Sequence, residues 1–135
     1  MLGRYCDAMD AGDFRAVGVL FADGRLADEH GTSLADGADA VERFYAAGTQ
    51  LHDGSPRTKH IVTNTVIELA DDEQTAVARS SYLVLQQVPG GALQPIITGR
   101  YEDHLAAGGG WHFVERRFFV DLIGDLSQHL RYELP

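Results

Sequence analysis

Six histidines carry the most versatile chemistry in this chain: His30, His52, His60, His104, His112 and His129. An imidazole titrates near neutrality, so each is a candidate proton donor or acceptor at physiological pH. None stands at a close two-plus-one spacing with a carboxylate on one element, so no metal site is expected. His104 and His112 flank a turn and read as surface residues. His60 differs, because it heads a strand-like run and Asn64 follows four residues later on the same strand. Strand alternation would put both side chains on one face, where Asn64 could hold a carbonyl or hydroxyl. Arg79 and Arg100 have the reach to meet a ligand, although the usual exposure of arginine favours a solvated or salt-bridged role. Cys6 lies on an apolar helix face without an activating partner and reads as inert core. Gly108-Gly109-Gly110 joins two strands and not a strand to a helix, so it is no phosphate cradle.

The elements that must position these groups fall into two halves. Leu2, Tyr5, Cys6 and Met9 share one face at helical spacing, and Asp10-Ala11-Gly12-Asp13 supplies a stop and a new N-cap. Phe14, Val17, Leu20 and Phe21 form a second stripe that Ala22-Asp23-Gly24 breaks. A brief extended stretch from Arg25 to Glu29 and a turn-rich segment from His30 to Gly37 precede a third helix, marked by Val41, Phe44 and Tyr45 with Asp39 near its start. Gly48 is expected to end it. Four strands follow, at Lys59 to Leu69, Thr75 to Val88, Pro95 to Leu105 and Trp111 to Leu122, joined by turns at Ala70-Asp71-Asp72-Glu73, Pro89-Gly90-Gly91 and Ala106 to Gly110. The tail from Gly124 to Pro135 has weak helical character.

This order predicts an α+β fold with three N-terminal helices on one face of a curved, mainly antiparallel sheet, and a one-mouthed cavity between the two layers. A length of 135 residues suits a single domain spanning 1–135. The longest apolar runs fall far short of the ~20 residues a membrane span needs. The net charge of −9 and the scattered basic residues, apart from Arg116-Arg117, argue against nucleic acid as a partner. A lone cysteine and the absence of a secretory-type leader point to the cytoplasm. The chain opens directly into a helix, which suggests a native start slightly upstream. Phe, Val and Leu on the outer face of the sheet suggest a homodimer, with Trp111, Phe113, Phe118 and Phe119 as packing or interface residues.

The stretch Arg4 to Phe14, then Leu20-Phe21-Ala22-Asp23, then Gly37 with Phe44-Tyr45, resembles the opening of SnoaL-like polyketide cyclases and ketosteroid isomerases of the nuclear transport factor 2-like superfamily. Arg57-Thr58-Lys59-His60 with Thr63-Asn64, Gly99 to Asp103 and the Trp111 to Arg117 strand look like the second half of the SnoaL-like and scytalone dehydratase-like branch. The resemblance implies a cone-shaped fold. In the dehydratase branch a histidine matching His60 pairs with a carboxylate matching Asp10, and such a pair would fix the tautomer and favour the imidazolium. The alternative is that Asp10 merely ends its helix and His60 fills a polar notch. The branch's two tyrosines and second histidine fall at Met9, Glu29 and about Gln86, so dehydration itself is not implied. Asp28 lies where the isomerases carry their base and Tyr5 where they carry an oxyanion-stabilising phenol, a pattern known from ketosteroid isomerase. Neither Tyr101 nor Asp103 falls at the third position of that site.

Three functions therefore compete. The first is a cofactor-free cyclase, isomerase or dehydratase moving protons on a hydrophobic, ring-containing or polyketide-like substrate, with His60, Asp10, Asp28 and Tyr5 as catalytic candidates. Asn64, Tyr101, Arg100, Glu29, Met9 and Phe21 are its candidate substrate contacts. The second is a non-catalytic ligand-binding module or a partner subunit like the dioxygenase β-subunits. The third is isomerase-like chemistry with Asp28 as base and Tyr5 as oxyanion donor.

Overall fold

Helix α1 spans Leu2–Ala11 and ends where the sequence supplies a glycine. Gly12 sits at φ 71°, and the amides of Gly12 and Asp13 donate to the carbonyls of Met9 and Ala8, which closes the helix with a residue that has no side chain to strain. Asp13 then caps α2, Phe14–Val19, by accepting from the Ala16 amide at 3.0 Å. Helix α3 runs Ala38–Gly48 with Asp39 in its first turn. The computed structural model describes residues 1–134.

Six strands make one sheet. β1 (Arg25–Ala27) and β2 (Ser33–Asp36) form a short hairpin between α2 and α3, and β3 (Thr58–Leu69), β4 (Thr75–Gln86), β5 (Gln94–Ala106) and β6 (His112–Ile123) form the long meander. The order is β2-β1-β6-β5-β4-β3. All neighbours are antiparallel except β1 and β6, which run parallel with Arg25 opposite Glu115. The four-stranded meander is as the sequence predicted, but where it predicted one extended stretch before α3 the structure has two short strands, which extend the sheet to six. Strands of three and four residues carry too little alternation to be read from pattern alone. The tail also departs from expectation: it forms no helix, and an isolated bridge ties Thr49 to Leu130.

Alternation along β4 buries Ala76, Ala78, Ser80, Tyr82, Val84 and Gln86 against the helices. These meet the α1 stripe of Tyr5, Cys6 and Met9 and the fully buried Val17, Phe21 and Val41. Phe21 stacks on Phe113 with ring centres 4.6 Å apart. Within this layer lies a charge pair that hydrophobic patterning did not suggest. Arg116 and Asp103 are both fully buried, joined by two bonds of 2.7 and 2.8 Å, and the guanidinium lies 3.8 Å from the Tyr101 ring centre and 4.3 Å from that of Tyr5. The bidentate bonds and the aromatic faces offset part of the desolvation cost of burying both charges, while Arg116 Nη1 has no hydrogen-bond partner among the described residues.

The outer face of the sheet is more polar than predicted. Arg79 pairs with Glu68 and Glu102, Arg100 with Asp121, and Arg117 with Glu115, while exposed Val66, Ile67 and Leu69 lie along the far half of β3 and Val120, Leu122 and Ile123 at the end of β6. Among the described residues no helix is long and apolar enough to cross a membrane.

Candidate functional site

Helices and sheet enclose a cavity of about 620 Å³. Tyr5 and Met9 come to its wall from α1, Phe44 and Tyr45 from α3, His60 from β3, Tyr82 and Val84 from β4, and Ile97 and Tyr101 from β5. The lining is mainly aromatic and aliphatic with a few polar groups, the composition typical of small-molecule sites.

The contact between α1 and β3 brings two of the candidate residues together. The His60 side chain is almost fully buried, and its Nδ1 lies 2.6 Å from Asp10 Oδ1. Asp10 also accepts from the Thr58 hydroxyl at 2.9 Å and, through both oxygens, from the His60 amide at 3.1 and 2.9 Å. One carboxylate thus grips both backbone and ring of His60 and fixes the orientation of the imidazole. Burial alone would raise the Asp10 carboxyl, but the hydrogen bonds and charge of His60, with the Thr58 hydroxyl, hold it below the usual carboxylate value. An ionised carboxylate only accepts, so the Nδ1 proton points to Asp10, and in the neutral imidazole it is Nε2 that carries the lone pair. Among the described residues no protein group hydrogen-bonds to Nε2, and His60 belongs to the cavity wall. The result is an oriented imidazole, backed by a carboxylate, on the wall of a mainly apolar cavity.

The other candidates divide. Tyr5, Met9, Tyr101, Asp28 and Glu29 all lie on the cavity. The Tyr5 hydroxyl is 2.5 Å from that of Tyr45, and burial raises both phenols above their ordinary value, with Arg116 opposing the rise, so they are neutral hydrogen-bonding groups. Asp28 spends its Oδ1 on the β1–β2 turn, accepting from the amides of His30 and Thr32 at 2.9 Å each. Three proposed ligand contacts lie elsewhere. Asn64 sits at a bulge: Thr63 pairs with Ser81 and Val66 with Arg79, so an extra residue breaks the alternation, and Asn64 is exposed at φ 55° outside the cavity. Arg100 points outward, bound through two nitrogens to Asp121 and resting on the Phe119 ring at 4.8 Å. Phe21 is fully buried behind Tyr5 and packs without reaching the cavity.

Several wall residues escaped sequence reasoning. Tyr45 stood only in a helical stripe and in the family-like opening, with no site role, and Tyr82 as one member of a long strand. His129 gave no sequence signal beyond its residue type, since its position depends on how the tail folds back. Among the described residues no group of three or more histidine, cysteine, aspartate or glutamate side chains is arranged to hold a metal ion.

The sequence matches the SnoaL-like domain over residues 1–117, most of its length. The chain belongs to this family. A search of curated proteins finds no match. Solved structures similar to the domain include Aln2 from a Streptomyces species, at 25% identity and a TM-score of 0.71 over 89% of this chain and 85% of that one. A candidate scytalone dehydratase from Novosphingobium aromaticivorans matches at 19% identity and TM-score 0.70, covering 99% and 84%. An NTF2-like protein with a cystatin-like fold from the same organism matches at 21% and 0.70, covering 94% and 80%. The SnoaL-like domain therefore has the cone-shaped NTF2-like fold, and its contact between Asp10 and His60 lies within the matched region.

Proposed function

We propose that this SnoaL-like domain is a small-molecule enzyme that moves a proton on a hydrophobic ring-containing or polyketide-like substrate, by cyclisation, isomerisation or dehydration. The observation that carries the reading is the 2.6 Å contact of His60 Nδ1 with Asp10, which leaves Nε2 as the basic end at an apolar cavity. Nε2 takes a proton from a carbon next to a carbonyl, and the imidazolium formed is stabilised by Asp10. Neutral phenols on the wall supply O–H donors to the developing oxyanion, and the imidazolium returns the proton at a second position. Each step uses only this chain's side chains.

The test is deuterium exchange of the α-protons of 2-tetralone in heavy water, followed by proton NMR, which reads proton abstraction directly. His60→Ala is expected to slow exchange by ~10²–10⁴ with the fold intact. An unchanged rate would sink the assignment. The same assay on Asp28→Asn separates the isomerase-like alternative, because a base at Asp28 would be lost there, whereas the pairing of His60 with Asp10 leaves that variant within about threefold of the parent.

We also propose that the protein self-associates, on the strength of the exposed Val66, Ile67, Leu69, Leu122 and Ile123 at the margins of the sheet.

A further inference from the structure

His129 is the second imidazole of the cavity wall and the one without a partner. Its ring is buried within the tail that follows β6, its Nδ1 is sealed from solvent with no hydrogen bond, and no protein group bonds to its Nε2 among the described residues. A neutral imidazole has one donor and one acceptor, and leaving such a group unmet in a buried site costs about 1–3 kcal/mol. The rest of the tail is held with unusual completeness. Gln50 donates its amide to the His129 carbonyl at 2.8 Å and its side chain to the carbonyls of Ser127 and Leu130 at 2.7 and 2.6 Å. The Gln86 side chain reaches the Gln128 carbonyl at 3.0 Å, and Arg131 bonds back to the carbonyls of Gly48 and Thr49. Tyr132 packs so closely on Gly48 that a Cβ there would lie 2.7 Å from the ring. A backbone this firmly anchored, placing on a cavity wall a ring whose one accessible nitrogen, Nε2, has no protein partner among the described residues, is the construction expected where a ligand supplies that partner.

We propose that the tail from Asp125 to Leu134 is a wall of the binding site, and that His129 contacts the bound molecule through Nε2, sharing a hydrogen bond with a hydroxyl group on an otherwise apolar ring ligand. This rests on the reading of the cavity as a ligand site, but not on proton transfer at His60. The tail lies beyond residue 117, where the family match ends. The groups facing it are His60 on β3, Asp10 at the end of α1 and His52 after α3. Burial, with the nearby His60 and His52, pushes its pKa down to about 4 against the opposing charge of Asp10. The ring therefore stays neutral near pH 7.

The experiment compares 2-naphthol with naphthalene, molecules of nearly the same shape that differ by one hydroxyl, in equilibrium fluorescence titrations of the full chain. The parent is expected to prefer the naphthol by about tenfold or more. His129→Phe should reduce that preference to about twofold or less while naphthalene still binds, and His129→Gln, which keeps an acceptor and a donor, should retain most of it. The preference should also be flat from about pH 5.5 to about pH 8, where the ring does not titrate. A His129→Phe protein that keeps the parent's preference would overturn the proposal. So would a parent that shows no preference, or a Phe variant that loses both probes while the Gln variant binds normally, since that pattern marks a purely structural ring. Deuterium exchange on 2-tetralone is read in parallel, so a protein that binds the naphthol through His129 yet exchanges nothing refutes the enzymatic reading alone.

Discussion

Replacing Asp10 by Asn keeps the size of the side chain and removes its charge. In the parent, Asp10 Oδ1 accepts from the His60 ring at 2.6 Å, from Thr58 at 2.9 Å and from the His60 amide, while Oδ2 accepts from that amide at 2.9 Å. An Asn oxygen turned toward Nδ1 keeps the first set but sets an NH₂ against the His60 amide, two donors face to face. The larger effect falls on the charged intermediate. Unit charges about 4 Å apart at an effective dielectric near 20 attract by about 4 kcal/mol. At about 1.4 kcal/mol per decade, losing that attraction from imidazolium and carboxylate slows proton abstraction by ~10³. The assay is deuterium exchange of 2-tetralone, with circular dichroism to verify the fold. A folded Asp10→Asn protein within about threefold of the parent would refute the argument that the carboxylate powers the base. Acid adds a second readout. Because the folded carboxyl lies below its ordinary value, its ionisation stabilises the native state above the unfolded pKa of about 3.9, and this contribution is lost as pH falls through the lower folded value. The parent should therefore melt above Asp10→Asn at pH 7, and the gap should narrow below about pH 4.

Two further outcomes are expected. Asp103→Asn leaves the Arg116 guanidinium buried without its counter-charge among Tyr5, Tyr101 and Phe113, and should cost about 3–5 kcal/mol in urea unfolding. A loss under about 1 kcal/mol would show the pair to be energetically neutral. Sedimentation equilibrium should give twice the chain mass, and replacing exposed Leu122 and Ile67 by Lys should return it to the monomer. A parent that sediments as a monomer at micromolar concentration would refute self-association.

The helices and the four long strands were legible because their residues repeat the right periods over enough length: Tyr5, Cys6 and Met9 along α1, and the even-numbered residues of β4. Asp10 and His60 were legible only through resemblance, since nothing in their separate positions says that the end of α1 packs against the head of β3. Asn64 shows where periodicity fails, because one inserted residue in β3 cancels an inference that a regular strand would have supported. Arg116 shows another limit. Adjacent to Arg117, it reads as surface charge, and only the packing of Tyr5, Tyr101 and Asp103 around it makes it core. His129 was illegible for a different reason: its role depends on carbonyl acceptors in the tail that every residue possesses.

The parallel pairing of β1 with β6 bears on how the chain reaches this state. Arg25 and Glu115, ninety positions apart, lie side by side and their side chains bond at 2.7 Å. The first and last parts of the sheet can join only after nearly the whole chain is available, and closing so long a loop carries an entropic cost before any contact returns it. Folding should accordingly be slow for a protein of this size. During synthesis the apolar faces of α1 and α2 would wait, uncovered, for strands that do not yet exist, which makes this architecture a natural client for chaperones.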